Sequence, residues 1–70
     1  MTRQAKSPGV GDLVRRIESE YREMPGLNLT LIQAARLWGM DYATCEHVLT
    51  LLVMRRVLKR TPAGTYLRAR

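Results

Sequence analysis

Only Gly39-Met40-Asp41 separates two segments that each read as a helix, and that shortage of chain is the tightest constraint on the fold. Leu31 to Trp38 makes about two helical turns. Thr30 before it is an N-cap candidate, and Gln33 completes a capping box in which each side chain satisfies a backbone donor of the first turn. Gly39 then ends the helix in the left-handed region that glycine tolerates. Asp41 follows at once as the N-cap of a further helix, from Tyr42 to about Arg55. So short a link cannot lay the two helices flat and antiparallel. It favours a steep crossing through a tight turn.

The rest of the chain supplies one helix before this pair and one hairpin after it. Val10, Leu13, Val14, Ile17, Tyr21 and Met24 recur at spacings of three and four, an apolar stripe on a first helix that Met24-Pro25-Gly26 stops. Asp12 with Arg16 and Glu18 with Arg22 are acid-before-base pairs four apart on its solvent side, each worth about 0.3 kcal/mol. Leu27-Asn28-Leu29 is a short extended piece. In the third helix Cys45, Val48, Leu49 and Leu52 form the inner stripe, and Leu51, Val53 and Met54 broaden the apolar surface. The period then changes: Val57 to Thr61 and Thr65 to Arg68 are strand-like. Pro62-Ala63-Gly64 between them supplies a preset φ and a glycine that accepts positive φ, which predicts a β-hairpin. The expected fold is mainly α with a small β-hairpin, a domain over residues 10–70 behind a flexible tail over 1–9.

Charge is distributed unevenly. From Met1 to Met54 six cations match six acids, so the formal net charge of +6 belongs to Arg55, Arg56, Lys59, Arg60, Arg68 and Arg70. A basic hairpin behind a neutral helical body points to a polyanion, above all nucleic acid. At 70 residues the chain forms one domain near the lower limit for folding without a metal, a disulfide or a partner. Cys45 is the sole cysteine, which excludes an intrachain disulfide and suits a reducing cytoplasm. No apolar run reaches the length of a membrane span, and no apolar core follows the basic start as a secretory signal requires. The expectation is a cytoplasmic protein, associated with the nucleoid if it binds DNA.

Leu29-Thr30, Ala34-Ala35-Arg36-Leu37-Trp38-Gly39-Met40-Asp41, Thr44-Cys45 and Leu49 to Leu52 together resemble the helix-turn-helix core of winged-helix proteins. In this the chain is similar to bacterial MarR-like and ArsR-like regulators. Ala35 stands at the small-residue position where the two helices touch, Gly39 at the turn, Met40 at the apolar residue after it, and Asp41 at the cap of the recognition helix. Cys45 replaces the usual apolar residue facing the first helix of the motif. The resemblance runs from about Asp12 to Arg68 and implies three helices with a two- or three-stranded wing. It also implies a recognition helix in the major groove, with Tyr42, Ala43, Thr44, Glu46, His47 and Thr50 facing outward, and a wing on the backbone or minor groove. Tyr42, Thr44, His47 and Thr50 offer hydrogen bonds, and Glu46 accepts from cytosine but repels phosphate. No arginine or lysine lies between Arg36 and Arg55. Backbone contact by Arg55, Arg56, Lys59, Arg60 and Arg68 therefore outweighs base reading.

Each of these residues also has a plainer reading. Arg55 and Arg56 sit where a helix dipole favours cations by about 0.3–1 kcal/mol, although the family carries a glycine there and this helix is expected to leave differently. Lys59, Arg60 and Arg68 either contact phosphates or protect a strand edge by charge. Trp38 is a packing anchor before it is a stacking surface, and Tyr66 divides evenly between packing on the first helix and touching a backbone. Cys45 and His47 point about 200° apart on a helix, so they form no zinc pair. No catalytic set and no cofactor motif is visible. The expected function is a DNA-binding regulator or accessory factor. The alternative is a protein-interaction module, or a homodimer, using Leu51, Val53 and Met54.

Overall fold

A computed structural model describes residues 9–69. Residues 1–8 of the expected tail over 1–9 lie outside the described residues. The carbonyl of Gly9 accepts from the Asp12 and Leu13 amides and caps the first helix. The elements run α1 (Val10–Glu23), β1 (Asn28–Thr30), α2 (Leu31–Trp38), α3 (Tyr42–Met54), β2 (Leu58–Arg60) and β3 (Thr65–Arg68). The three strands form one antiparallel sheet in the order β1-β3-β2. The protein is thus mainly α with a small β part, and the extended piece after α1 joins the hairpin as its third strand.

The apolar stripes meet in one core. Val14, Ile17 and Tyr21 of α1, Ala34, Ala35 and Trp38 of α2, and Cys45, Val48, Leu49 and Leu52 of α3 are buried with Leu58 and Tyr66 of the sheet. The α1 stripe overruns this core at both ends, leaving Val10 and Met24 exposed. Asp12 pairs with Arg15 rather than with Arg16. Arg16 instead borders a recess with Val10, Leu13 and Trp38. Glu18 and Arg22 do pair, at 3.5 Å.

Two side chains tie the layers together. The Tyr21 hydroxyl donates to the Tyr66 carbonyl at 2.9 Å, joining α1 to β3. Its ring lies 6.1 Å from that of Trp38, tilted by 54°, a spacing that favours aromatic attraction. Burial, with smaller contributions from Cys45 and Tyr66, pushes the Tyr21 hydroxyl up to about 12. Trp38 and Tyr66 are both core residues, which settles each of them as packing.

The turn chemistry follows the sequence closely. Thr30 accepts from the Gln33 amide at 3.1 Å, and the Gln33 side chain accepts from the Thr30 amide at 2.9 Å. Gly39 has φ +65, and both its own amide and that of Met40 bond to the Ala35 carbonyl. At the hairpin the Gly64 amide reaches the Thr61 carbonyl and the Thr61 amide reaches the Thr65 carbonyl, each at 2.9 Å. With Gly64 at φ +84, this is a turn started by Pro62 and closed by a left-handed glycine, a common three-residue hairpin.

Candidate nucleic-acid interface

The start of α3 is fixed by Asp41, whose carboxylate accepts from the Thr44 amide at 3.2 Å. Hydrogen bonding to Thr44 holds that carboxyl below its usual value. With Cys45, Val48, Leu49 and Leu52 turned inward, Ala43, His47, Thr50 and Met54 recur at spacings of four and three along the opposite, exposed side. Tyr42 and Glu46 are exposed on one flank, while Thr44 is half-buried near the turn. This surface carries hydroxyls, one imidazole and one carboxylate. It can hydrogen-bond to base edges, but it draws no phosphate by charge.

The end of α3 departs from expectation. The sequence suggests that a helix without a terminal glycine leaves by another route, yet Arg56 takes the left-handed position itself, at φ +64. Its amide bonds to the Val53 carbonyl and the Val57 amide to the Leu52 carbonyl, both at 3.0 Å. These two bonds close the helix in a Schellman motif. Burial of Leu52 against the sheet holds that exit, so the arginine accepts a strained backbone. Arg55 beside it is exposed in an ordinary conformation, with φ −84 and ψ 0.

Strand pairing then divides the remaining cations. Leu58 faces Arg68, Lys59 faces Leu67 and Arg60 faces Tyr66 across the ladder. Facing residues share a side of the sheet, and neighbours along a strand alternate. Arg60 and Arg68 therefore lie on the same side as buried Leu58 and Tyr66, and Lys59 lies on the other. Lys59 and Arg60 are both exposed, nearer the hairpin tip, whereas Arg68 is half-buried at the base. The two exposed cations border an open recess with Arg56, Val53, Met54 and Leu58.

Arg68 belongs to a different neighbourhood. With Arg56, Arg22, Glu18, Tyr21 and Val57 it lines a cleft of about 170 Å³ between α1, the α3 exit and β3. Of the five basic positions singled out from the sequence, Arg56 lines both this cleft and the recess beside Lys59 and Arg60, whereas Arg68 lines the cleft alone. Arg22 was missed by that reading, since it looks like one member of an ordinary i,i+4 pair. Only the docking of α1 on β3 brings it beside Arg68.

The other candidate chemistries stay separate in space. Cys45 is buried and His47 exposed, and among the described residues no three of His, Cys, Asp or Glu are grouped to hold a metal. No described helix is long and apolar enough to cross a membrane. Comparison with protein-family models, with curated proteins and with solved structures finds no match.

Proposed function

We propose that this chain is a winged helix-turn-helix domain that binds duplex DNA and acts as a transcriptional regulator or accessory factor. In this reading α2 and α3 are the helix-turn-helix, α3 enters the major groove, and the β2–β3 hairpin is the wing. One observation carries it: an exposed, capped helix is followed by a hairpin bearing Lys59 and Arg60, with no acidic residue anywhere after Glu46. Lys59, Arg60 and Arg55 are the backbone contacts. Tyr42, Ala43, His47 and Thr50 meet the groove, with Glu46 limiting the approach and Thr44 committed mainly to the cap.

Counterion release makes the proposal quantitative. Three neutralised phosphates give a log–log salt slope of about −2.7, a roughly 40-fold loss of affinity between ~50 and ~200 mM salt. If all five basic positions reached the duplex, the loss would be roughly 500-fold. Fluorescence anisotropy on a labelled duplex measures this directly. Substituting Lys59 and Arg60 by Gln should flatten the slope by about two contacts, and an unchanged slope would refute the wing assignment. A protein-interaction module is the second reading, favoured by Met54, which is 72% exposed at the end of the α3 face. Complete absence of duplex binding at low salt selects it.

A further inference from the structure

The cleft between α1, the α3 exit and β3 shares Arg56 with the recess that Lys59 and Arg60 border, but neither Lys59 nor Arg60 lines it. Three arginines, Arg22, Arg56 and Arg68, line it together with one acidic residue, Glu18. Glu18 is already engaged with Arg22 at 3.5 Å. Among the described residues neither Arg56 nor Arg68 has a carboxylate within the 4.0 Å of a salt bridge. Arg68 is nevertheless half-buried, where an unpaired cation is unfavourable. Arg56 holds its place in a left-handed backbone that glycine would adopt without strain. A costly residue at such a position motivates a search for what its side chain does.

We propose that this cleft is an anion site for a phosphate dianion, free or carried as a terminal monoester. Its lining charge, three cations and one acid, leaves two positive charges, which match a dianion. A single carboxylate would leave one guanidinium uncompensated. Arginine forks donate paired hydrogen bonds to phosphate oxygens, and the Tyr21 ring and Val57 supply apolar walls. The site lies apart from the start of α3. Tyr42 and Met54 bound a helix of 13 residues, so the α3 exit is roughly 18 Å from the groove-reading end. The proposal stands whether or not the protein binds DNA.

The experiment follows thermal stability and amide chemical shifts of the full chain as inorganic phosphate, a nucleoside monophosphate or its unphosphorylated nucleoside is added, with sodium chloride at matched ionic strength as the control. Saturable stabilisation by phosphate beyond that of chloride is expected, with shifts centred on Val57 and Arg68. R56G and R68Q should each weaken it about tenfold. R56G is useful because its backbone strain is relieved, so it stays folded while losing the ligand group. Tighter binding of the monophosphate than of inorganic phosphate assigns a phosphorylated metabolite as the source, and equal binding assigns free phosphate. K59Q/R60Q should bind phosphate normally while binding duplex poorly, which separates failure of this site from failure of the DNA reading. Stabilisation no greater than that of chloride, or unchanged in R56G and R68Q, overturns the proposal. Loss of phosphate binding in K59Q/R60Q also overturns it, because the cleft would then be part of the duplex surface.

Discussion

Replacing Arg56 by glycine and by alanine separates the backbone at the α3 exit from the charge it carries. Both variants lose the guanidinium and any benefit it draws from the negative end of the helix. They differ only in Cβ. With φ at +64, a residue bearing Cβ is strained by about 1–2 kcal/mol. Glycine removes that strain but loses more freedom on folding, which takes back about 0.5–1 kcal/mol. R56G should therefore be more stable than R56A by about 0.5–1 kcal/mol. For a domain of this size that is a gap in Tm of about 2–8 °C. Circular dichroism melts in phosphate-free buffer, backed by urea titration with a common m-value, measure it. Wild type is the wrong reference, since it also contains the dipole term of about 0.3–1 kcal/mol. If R56A equals or exceeds R56G, the left-handed exit is not what the folded chain adopts. The case for an arginine retained against its backbone preference would then be lost.

Four further outcomes are expected. Tyr21→Phe removes the donor to the buried Tyr66 carbonyl and should lower stability by about 1–2 kcal/mol in chemical denaturation. The same hydroxyl sets an alkaline limit. Its pKa is raised on folding to about 12, so its contribution is complete below pH 10 and is lost as pH rises through 12; melts of Tyr21→Phe should show less of this decline than wild type. Thr30→Ala breaks the capping box of α2 and should cost about 1 kcal/mol, whereas Thr30→Ser should be nearly neutral by the same melts. Cys45 is fully buried, and burial, then the Asp41 charge, pushes its thiol up. A chromogenic disulfide reagent at neutral pH should label it only as fast as the protein unfolds, and rapid labelling of the native chain would contradict its place in the core.

Local chemistry made most of the helical body legible. The Thr30–Gln33 box, the Gly39 stop and the Asp41 cap each depend on residues within four positions of one another, and all three form. The 3.6-residue stripe found the buried faces of α1 and α3, but it could not tell where the core ends, so Val10 and Met24 looked as buried as Ile17. What escaped was non-local. The pairing of Asn28 with Leu67 makes the expected extended piece a strand of the sheet, and no pattern near Asn28 names that partner. The division of Lys59 from Arg60 and Arg68 follows from pleat and register, which a run of basic letters does not reveal. Arg56 misled for a different reason: the intrinsic preference against a left-handed arginine is weak beside the burial of Leu52 and Leu58 on either side of it.

The middle position of β3 in the sheet governs the order in which the molecule can assemble. β1 and β2 never touch, so each depends on β3 for its ladder. The three helices gather through short loops, whereas the bond from Tyr21 to Tyr66 closes across 45 residues. Long-range closures of this kind are slow relative to local ones. Docking of Thr65–Arg68 should accordingly be the rate-determining event. A protease nick that frees this segment would leave the edges of β1 and β2 unpaired and open to neighbouring chains.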